Sequence, residues 1–393
     1  MPINELITAG TEIRRLAMKP SLNSIALTRK LLTFNTMNPP GQERACAEYL
    51  GKLLGDGGFE TDLYEFAEGR TSLVARIQGN NDRAPICFTG HIDTVPLGAT
   101  RWTKDPLKGE IEGGRIYGRG SSDMKGGVAA MVIAGLRVAE LSKGRAGLSL
   151  VITAGEETGC EGAYFLASDG RALGKAGAVV VGEPTSNFPV VGHKGALWIE
   201  ARATGMAAHG SMPEKGINAI YKATNAVTRL QDFDFEAVPH PTLGSPTLNV
   251  GTITGGININ SVPDQALIGI DIRTTPAQSN KEVYEKLKSY LGQELEFNRL
   301  MDVEGIATDP QDEWIQEVFE VMESFLKERP VARGVTYFTD ASALTPAFGN
   351  PPTIILGPGD PAMAHKTDEY CEISKIEEAV EAYLEIVRRW CDL

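Results

Sequence analysis

The sequence predicts an α/β protein that is built on a mainly parallel sheet, with a smaller α+β unit inserted into it. Short, unbroken apolar segments alternate with helical stretches over much of the chain, among them SLVARI, APICFTG, LSLVITA and AGAVVVG. Continuous apolar runs are typical of strands that helices cover on both faces, as in parallel sheets. Between about residues 194 and 305 the order of elements becomes β-α-β-β-α-β, the ferredoxin-like arrangement.

The remaining elements of the larger unit follow from local patterns. Residues 23–56 have a helical pattern that breaks at NTMNPPGQE, where two prolines and a glycine predict a turn. Helices are predicted over MKGGVAAMVIAGLRVAELS, QDEWIQEVFEVMESFLKE and KIEEAVEAYLEIVRRWCDL, and a further buried strand over PTIILG. The simplest arrangement is a discontinuous domain of residues 1–193 and 306–393.

The inserted unit is predicted to span residues 194–305. Strands are expected over ALWIEARATG, TLNVGTITGG, ALIGIDIRTT and ELEFNRLMDV, and helices over GINAIYKATNAVTRL and KEVYEKLKSYLG. In the first of these helices Ile220, Ala223, Val227 and Leu230 recur at the spacing of one helical face. The α/β pattern resumes after this unit, which is why we interpret it as an insertion.

Composition argues against several classes of partner. The 393 residues carry 38 Lys and Arg against 51 Asp and Glu, a net charge of −13, with no basic cluster interleaved with aromatics. We therefore expect neither nucleic acid nor a membrane as partner. Five scattered cysteines without C-x-x-C spacing predict buried thiols rather than a disulfide framework. The start of the chain contains Glu5 and no unbroken apolar run, so we expect no leader peptide and a reducing, cytoplasmic setting.

Polar residues follow the predicted strands at the points where those strands end. Ligands of open α/β sheets bind at the carboxyl ends of the strands. We therefore expect the following residues to meet at one rim of the sheet: His91 and Asp93 after APICFTG, Asp123 in the loop YGRGSSDMKGG, Glu156 and Glu157 after LSLVITA, Glu183 after AGAVVVG, and His365 after PTIILG.

This mixture of side chains suits two divalent metal ions. Two imidazoles and several carboxylates are typical ligands of zinc, our first expectation, and of cobalt or manganese, and one carboxylate can bridge both ions. On an extended strand residues i and i+2 face the same way, so Asp93 is expected to accept the second N–H of the His91 imidazole and fix its tautomer. The alternative for Asp93 is a cap on the following TVP turn.

The adjacent glutamates after LSLVITA predict a division of roles. Neighbouring side chains diverge, so Glu157 is expected to bind metal while Glu156 faces the water and acts as general base; two solvated loop acids are the alternative. Other catalytic machinery is not indicated. The sequence has no G-x-S-x-G elbow, no G-x-G-x-x-G fingerprint and no P-loop, and Cys160 lacks a credible histidine partner.

Together these motifs resemble the M20 family of di-metal amidohydrolases and exopeptidases, especially its acetylornithine deacetylase / succinyl-diaminopimelate desuccinylase branch. The resemblance begins at about residue 22 and rests on GHIDTVP, GRIYGRGSSDMKGG, TAGEETGCEGA, VGEPT, AAHGSMPEKGINAI and GPGDPAMAHKTDEY. Several motifs in the same order make the resemblance specific.

The resemblance implies two sets of metal ligands that share one residue: His91, Asp123 and Glu183 for one ion, and Asp123, Glu157 and His365 for the other. It also implies that Glu156 is the base and that Asp93 orients His91. The peptide bond between Asp123 and Met124 is expected to be cis.

For the inserted unit, the resemblance implies a lid and a dimer interface. His209 would reach the active site of a second copy and stabilise the oxyanion, whereas from the residues alone a structural loop role is equally open. Arg273 and Asn260 match positions that bind the substrate carboxylate and the reacting carbonyl region; the alternative for Arg273 is a surface pair across a sheet. Gly357, which begins GPGDPAMAHKTDEY, is a further candidate for substrate binding.

The expected activity is hydrolysis of an amide, with removal of the acyl group from an N-acyl amino acid. A dipeptidase, aminopeptidase or carboxypeptidase with the same metal centre is the alternative within enzymes. A catalytically silent member that binds a metabolite is the alternative of another class. Expected partners are a small N-acyl amino acid or short peptide, two divalent metal ions, and a second copy of the chain.

Overall fold

The computed structural model describes residues 22–79, 83–141 and 146–393. The N-terminal stretch from which we predict no leader peptide lies outside these residues, and so does Ser142, at the end of one predicted helix. Among the helices of the described residues, none combines the length and the apolar character that crossing a membrane requires.

The strands and helices of the described residues are numbered here in chain order. The strands are β1 (Glu60–Ala67), β2 (Arg70–Ile77), β3 (Ile86–His91), β4 (Glu110–Glu112), β5 (Arg115–Tyr117), β6 (Leu148–Thr153), β7 (Ala178–Val181), β8 (Gly192–His193), β9 (Ala196–Thr204), β10 (Ala208–His209), β11 (Thr247–Gly255), β12 (Ser261–Val262), β13 (Gln265–Arg273), β14 (Leu295–Val303), β15 (Ile306–Ala307), β16 (Thr353–Ile355) and β17 (Tyr370–Glu372). The α-helices are α1 (Ser24–Leu32), α2 (Arg44–Asp56), α3 (Gly126–Leu141), α4 (Glu161–Ser168), α5 (Ala219–Leu230), α6 (Asn280–Leu291), α7 (Glu313–Leu326), α8 (Ala341–Ala347) and α9 (Ile373–Cys391).

A six-stranded sheet of order β1-β2-β6-β3-β7-β16 forms the centre of the larger unit. The pairs β6–β3, β3–β7 and β7–β16 are parallel, and β1 and β2 add an antiparallel edge. Every residue of β3, β6 and β7 is buried, because helices cover both faces of the sheet. The prediction of a mainly parallel α/β sheet is therefore confirmed.

Two apolar cores lie on the two faces of this sheet. One is filled by α1, α2, α3, α7 and α9, and the other by the shorter α4 and α8. The five cysteines are all buried and unpaired, as their scattered spacing predicts. Residues of the sheet strands belong to both cores, so helix packing on each face holds the strand ends at fixed positions.

The second unit is a four-stranded antiparallel sheet of order β11-β13-β9-β14 with its own apolar core. Strand β9 alternates between buried and exposed residues because only one face of the sheet packs on α5 and α6. The order of elements and the strand order are those of the predicted ferredoxin-like unit. We propose that residues 194–305 form a separate domain inserted between residues 193 and 306.

Several elements were not predicted, among them strands that lack the pattern of a buried element. Strand β1 is an edge strand with mostly exposed or half-buried residues, so it has no apolar run. The strands β4, β5 and β17 form a small three-stranded sheet from short segments distant in sequence. That small sheet matters for the site, because it joins the segment before α3 to the segment before α9.

Candidate metal centre and active site

Four neighbouring parallel strands end at the same rim of the central sheet. His91 is the last residue of β3, and it is paired in register with Thr153, the last residue of β6. Val181, at the end of β7, is paired with Ile355, at the end of β16. The loops that follow these strands therefore begin side by side. They lie at the carboxyl ends of the strands, where open α/β sheets bind their ligands.

The first group of candidate ligands consists of His91, Asp123 and Glu183. The Nε2 atom of His91 lies 3.2 Å from Oδ1 of Asp123 and 3.6 Å from Oε1 of Glu183. All three side chains are buried. Their ligand atoms lie within 4.8 Å of one another, so this group could hold one metal ion.

The second group consists of Asp123, Glu157 and His365. The Nε2 atom of His365 lies 3.0 Å from Oε2 of Glu157 and 3.5 Å from Oδ2 of Asp123. Asp123 thus presents one carboxylate oxygen to each histidine, which is the arrangement that a bridging ligand needs. The Asp123–Met124 peptide bond is cis, as the resemblance implies.

The electrostatics of the rim are those of crowded, buried carboxylates. Burial raises the pKa of Glu183 well above its ordinary value, and the charges of Asp123 and other neighbouring carboxylates add to this effect. Burial opposes a charge on His91, but Glu183 and Asp123 outweigh it and raise the pKa of His91 well above its ordinary value. Without other cations, protons must compensate this negative charge.

This donor set fits a pair of divalent cations. Imidazole nitrogens and carboxylate oxygens are the ligands that zinc, cobalt and manganese accept in proteins. The two groups share Asp123, and positive ions there would replace the protons that the clustered carboxylates otherwise retain. The described residues therefore include a site able to bind two metal ions, whose identity the donor set leaves open.

Asp93 is completely buried between the metal-ligand candidates and the turn after β6. Its Oδ1 accepts the N–H of Glu156 at 3.1 Å, and its Oδ2 accepts the N–H of Glu157 at 3.2 Å. The Nδ1 atom of His91 lies 3.0 Å from the backbone oxygen of Asp93 and 3.4 Å from its carboxylate. We expect the side chain of Asp93 to orient the His91 imidazole. In the structure the shorter contact of His91 is to the backbone oxygen of Asp93.

Glu156 lies beside both ligand groups and belongs to neither. Its side chain is buried, and burial raises its pKa well above the ordinary value, with further contributions from the charges of Glu183 and Glu157. The adjacent Glu157 contacts His365. Glu157 therefore belongs to a candidate ligand group and Glu156 does not, and their division of roles stays a prediction. Burial also raises the pKa of the Cys160 thiol well above its ordinary value, which disfavours a thiolate nucleophile.

The predicted substrate-side residues lie on other elements. His209 and Asn260 are exposed and adjacent, since β10 pairs with β12 and the N–H of Gly210 donates to the Asn260 carbonyl at 2.8 Å. The half-buried Arg273 pairs with Asp271 on its own strand, its Nε lying 3.0 Å from Oδ1 and its Nη2 3.2 Å from Oδ2.

Gly357 has a packing role that its sequence position does not reveal. A Cβ atom there would lie 2.1 Å from the carbonyl oxygen of Gly182 and 2.5 Å from that of Glu183. The N–H of Gly357 donates to Thr185, and its carbonyl accepts from Thr185 and Asn187. Both backbone groups are thus occupied within the chain, and the absence of a side chain lets the backbone of Glu183 approach.

A family model described as Peptidase family M20/M25/M40 matches residues 87–389. The chain belongs to this family. Membership makes it a metal-dependent hydrolase of amide bonds, in agreement with the sequence prediction.

Relatives and solved structures resemble this M20 chain over most of its length. A probable succinyl-diaminopimelate desuccinylase of Staphylococcus epidermidis is 28% identical and covers 94% of this chain and 98% of its own. An acetylornithine deacetylase of Proteus mirabilis is 30% identical and covers 88% of this chain and 90% of its own. The crystal structure of an M20 family metallo-carboxypeptidase from Sulfolobus solfataricus has the same fold, with a TM-score of 0.80, 18% identity, and coverage of 94% and 100%.

Three polar residues around the M20 site were not predicted. Asn38, in the turn that we interpreted only as a helix break, donates to Oδ2 of Asp93 at 3.0 Å. Asp340, just before α8, is buried and accepts a hydrogen bond from Thr153, and burial raises its pKa to about 6. Glu369 contacts the loop that carries Asp123. Only Glu369 lies in a motif of the resemblance, so the other two had no sequence signal.

The pH dependence of metal binding follows from His365. The hydrogen bonds that its imidazole donates to Asp123 and Glu157 raise its pKa from 6.5 to about 10 in the metal-free protein. A metal ion must displace this proton, so affinity should strengthen as pH rises from 6.5 toward 10, by up to about tenfold per pH unit for each proton released. Calorimetric titration in buffers of different ionisation enthalpy counts the released protons.

The control for this measurement is His240→Asn, at a loop histidine outside both ligand groups, which should titrate like the unmodified protein. The proton on His365 also stabilises the metal-free fold. A pKa raised on folding gives stability that is complete below 6.5 and is lost as pH rises through about 10. A metal affinity that is independent of pH in this interval would contradict the prediction.

Proposed function

We propose that this M20 hydrolase removes the acyl group from an N-acyl amino acid, using two divalent cations and Glu156 as general base. The observation that carries the proposal is the position of Glu156, which is buried beside two ligand groups that share Asp123. The desuccinylase and deacetylase names of two relatives support an acyl amino acid as substrate. We propose zinc as the metal, with cobalt or manganese as substitutes.

His91, Asp123 and Glu183 would hold one cation, and Asp123, Glu157 and His365 the other. When bound, the cations would supply Lewis acidity that polarises the amide carbonyl and lowers the pKa of the attacking water toward about 7. Glu156 takes a proton from the water and delivers it to the leaving amine. The raised pKa of Glu156 suits a group that must first accept a proton and then release it.

Asp93 would keep this base in place without touching the substrate. Its two carboxylate oxygens accept the N–H groups of Glu156 and Glu157, so the turn cannot rotate without losing buried hydrogen bonds. Asn38 donates to the same carboxylate and thereby limits the rotation of the Asp93 side chain. The base and the adjacent ligand therefore have a common, rigid support.

The inserted domain would supply the remaining contacts in a homodimer. We propose that His209 stabilises the oxyanion in the active site of a second copy and that Asn260, its neighbour, contacts the carbonyl region. Both are exposed on one chain, which leaves them accessible to a partner. Arg273 would bind the substrate carboxylate with its two parallel N–H groups, after exchange of its present partner Asp271. We assign no separate substrate contact to Gly357.

A peptidase is the second candidate, because the similar structure from Sulfolobus solfataricus is described as a metallo-carboxypeptidase. The metal ligands and Glu156 serve both reactions equally, since each cleaves an amide by attack of water. A catalytically silent binding protein is less compatible with a buried carboxylate, that of Glu156, which belongs to neither ligand group. The two enzymatic candidates differ only in the groups on either side of the amide.

A substrate panel separates these candidates. The chelated protein is reconstituted with zinc, cobalt or manganese and assayed on N-acetyl, N-succinyl and N-carbamoyl amino acids and on dipeptides. We expect the highest kcat/KM on an N-acyl amino acid and loss of activity with chelator. Preference for dipeptides would favour the peptidase, and inactivity across the panel with two metals bound would favour the binding protein.

Replacement of the proposed base tests the mechanism. Glu156→Gln keeps the shape of the side chain but cannot accept the proton, so kcat should fall by about 10²-fold or more. Metal content should remain as in the unmodified protein, because Glu156 belongs to neither ligand group. The matched control is Glu377→Gln, at an exposed position of α9. Unchanged turnover in Glu156→Gln would refute the assignment.

Mixing two inactive variants tests whether His209 acts across a dimer. A Glu156→Gln chain and a His209→Ala chain are each expected to be nearly inactive alone. If His209 acts on the partner, each mixed dimer has one complete site of its two. About half of the dimers formed on co-expression are mixed, so activity should recover to about a quarter of the unmodified value. Absence of recovery in dimers shown to be mixed would place His209 in its own subunit's site.

A further inference from the structure

The carboxylate of Glu369 accepts three backbone hydrogen bonds from the loop that carries Asp123. Its Oε1 accepts the N–H of Ser122 at 2.8 Å and that of Asp123 at 3.0 Å. Its Oε2 accepts the N–H of Gly120 at 2.9 Å. Glu369 is 1% exposed, so water cannot substitute for it at these amides. One side chain thus satisfies three backbone donors of the loop that carries the shared metal-ligand candidate.

Arg119 compensates the buried charge of Glu369. Its Nη1 lies 2.8 Å from Oε2 of Glu369, and the guanidinium is 2% exposed. The same guanidinium donates to the backbone oxygen of Lys366 at 3.2 Å and to that of Pro96 at 3.1 Å. Arg119 therefore links its own loop to two other segments, the one that contains Pro96 and the one from Lys366 to Glu369. The latter directly follows His365.

The backbone reinforces this link between two distant parts of the chain. Strand β17 pairs with β5, and the pairing extends past the strand ends, because the N–H of Gly118 donates to the Glu369 carbonyl at 2.9 Å. The hydroxyl of Ser122 donates to the carbonyl of Tyr370 at 2.7 Å. Gly120 has a φ of +89°, and a Cβ there would lie 2.7 Å from Thr94, so the loop has little freedom to take another path.

We propose that Glu369, together with Arg119, is a positioning residue for the metal centre. It fixes the backbone at Asp123 relative to His365, which lies four residues before Glu369 in the chain. The hydrogen bond from the N–H of Asp123 to Glu369 holds the backbone at Asp123, so only the side-chain torsions of Asp123 remain free. These torsions allow one carboxylate oxygen to face each histidine. The inference rests on the ligands assigned under the proposed function and adds the element that holds two of them in register.

A carboxylate that merely satisfies buried amides would also stabilise the fold, so stability alone does not distinguish the two roles. The readout that does is the metal affinity of variants that remain folded. Residues that support metal ligands from behind typically contribute 10-fold to 100-fold to metal affinity. A purely structural residue would change the unfolding transition and leave the affinity of the folded protein unaltered.

The experiment uses Glu369→Gln in the full chain. Glutamine has the same shape, but its NH₂ group faces an N–H donor and cannot accept from it, so at least one loop amide loses its partner. We expect the metal-free variant to bind zinc or cobalt about 10-fold to 100-fold more weakly in calorimetric titration. The visible spectrum of bound Co²⁺ should also change, since it reports ligand geometry.

A metal-independent measurement accompanies the titration. In the metal-free variant, the amides of Gly120, Ser122 and Asp123 should exchange hydrogen faster than in the unmodified protein. The matched control is Glu372→Gln, three residues further along on an exposed side chain, which should alter neither affinity nor exchange. If Glu369→Gln does not fold, Arg119→Lys takes its place, because lysine keeps the charge but cannot contact Glu369, Lys366 and Pro96 together.

Unaltered affinity and Co²⁺ spectrum in a folded variant at Glu369 or Arg119 would overturn the inference, and so would an equal loss in Glu372→Gln. Failure of the proposed function would look different. In that case the unmodified, metal-loaded protein would hydrolyse no amide, while the difference in metal affinity between it and Glu369→Gln would persist.

Discussion

Carboxylates repel one another, and burial strengthens the repulsion because little water remains to screen it. At the rim of the central sheet Asp123, Glu156 and Glu183 are buried together, with Glu157 half-buried beside them. Such a group persists only where positive charge compensates it, from protons, histidines or metal ions. The rest of the site is organised around this requirement. The histidines approach from both sides, yet burial and the neighbouring carboxylates still raise the pKa values of Glu156 and Glu183, although the charge of His91 lowers both.

Rigid support is the second requirement, and two buried carboxylates provide it from behind the ligands. Asp93 accepts the N–H groups of Glu156 and Glu157, and Glu369 accepts that of Asp123. Each carboxylate satisfies backbone donors that would otherwise be buried without partners, and each limits the motion of a functional residue. Stability of the fold and geometry of the site thus depend on the same hydrogen bonds, which allows a centre of repelling charges to keep one arrangement.

The sequence predicted the architecture well because the two sheets have different periodicities. Strands β3, β6 and β7 are buried on both faces and have unbroken apolar runs, whereas β9 is buried on one face and alternates. The edge strand β1 has neither pattern, since half of its environment is solvent, and the short strands β4, β5 and β17 are too brief to show periodicity. These elements exist through pairing with partners that are distant in sequence, which local patterns do not contain.

For the site, residue types at the ends of the strands could be identified from the sequence, and the carboxyl-end rule with the family motifs predicted that they meet at one rim. How these side chains face one another depends on the folded structure. It orients one oxygen of Asp123 toward each histidine, brings the backbone of Asp93 closest to His91, and gives Gly357 a packing role. It also places Asn38 and Glu369 behind residues far from them in the chain. The physical reason is that hydrogen-bond partners are chosen by distance and direction in the folded protein, and residue type along the chain encodes neither.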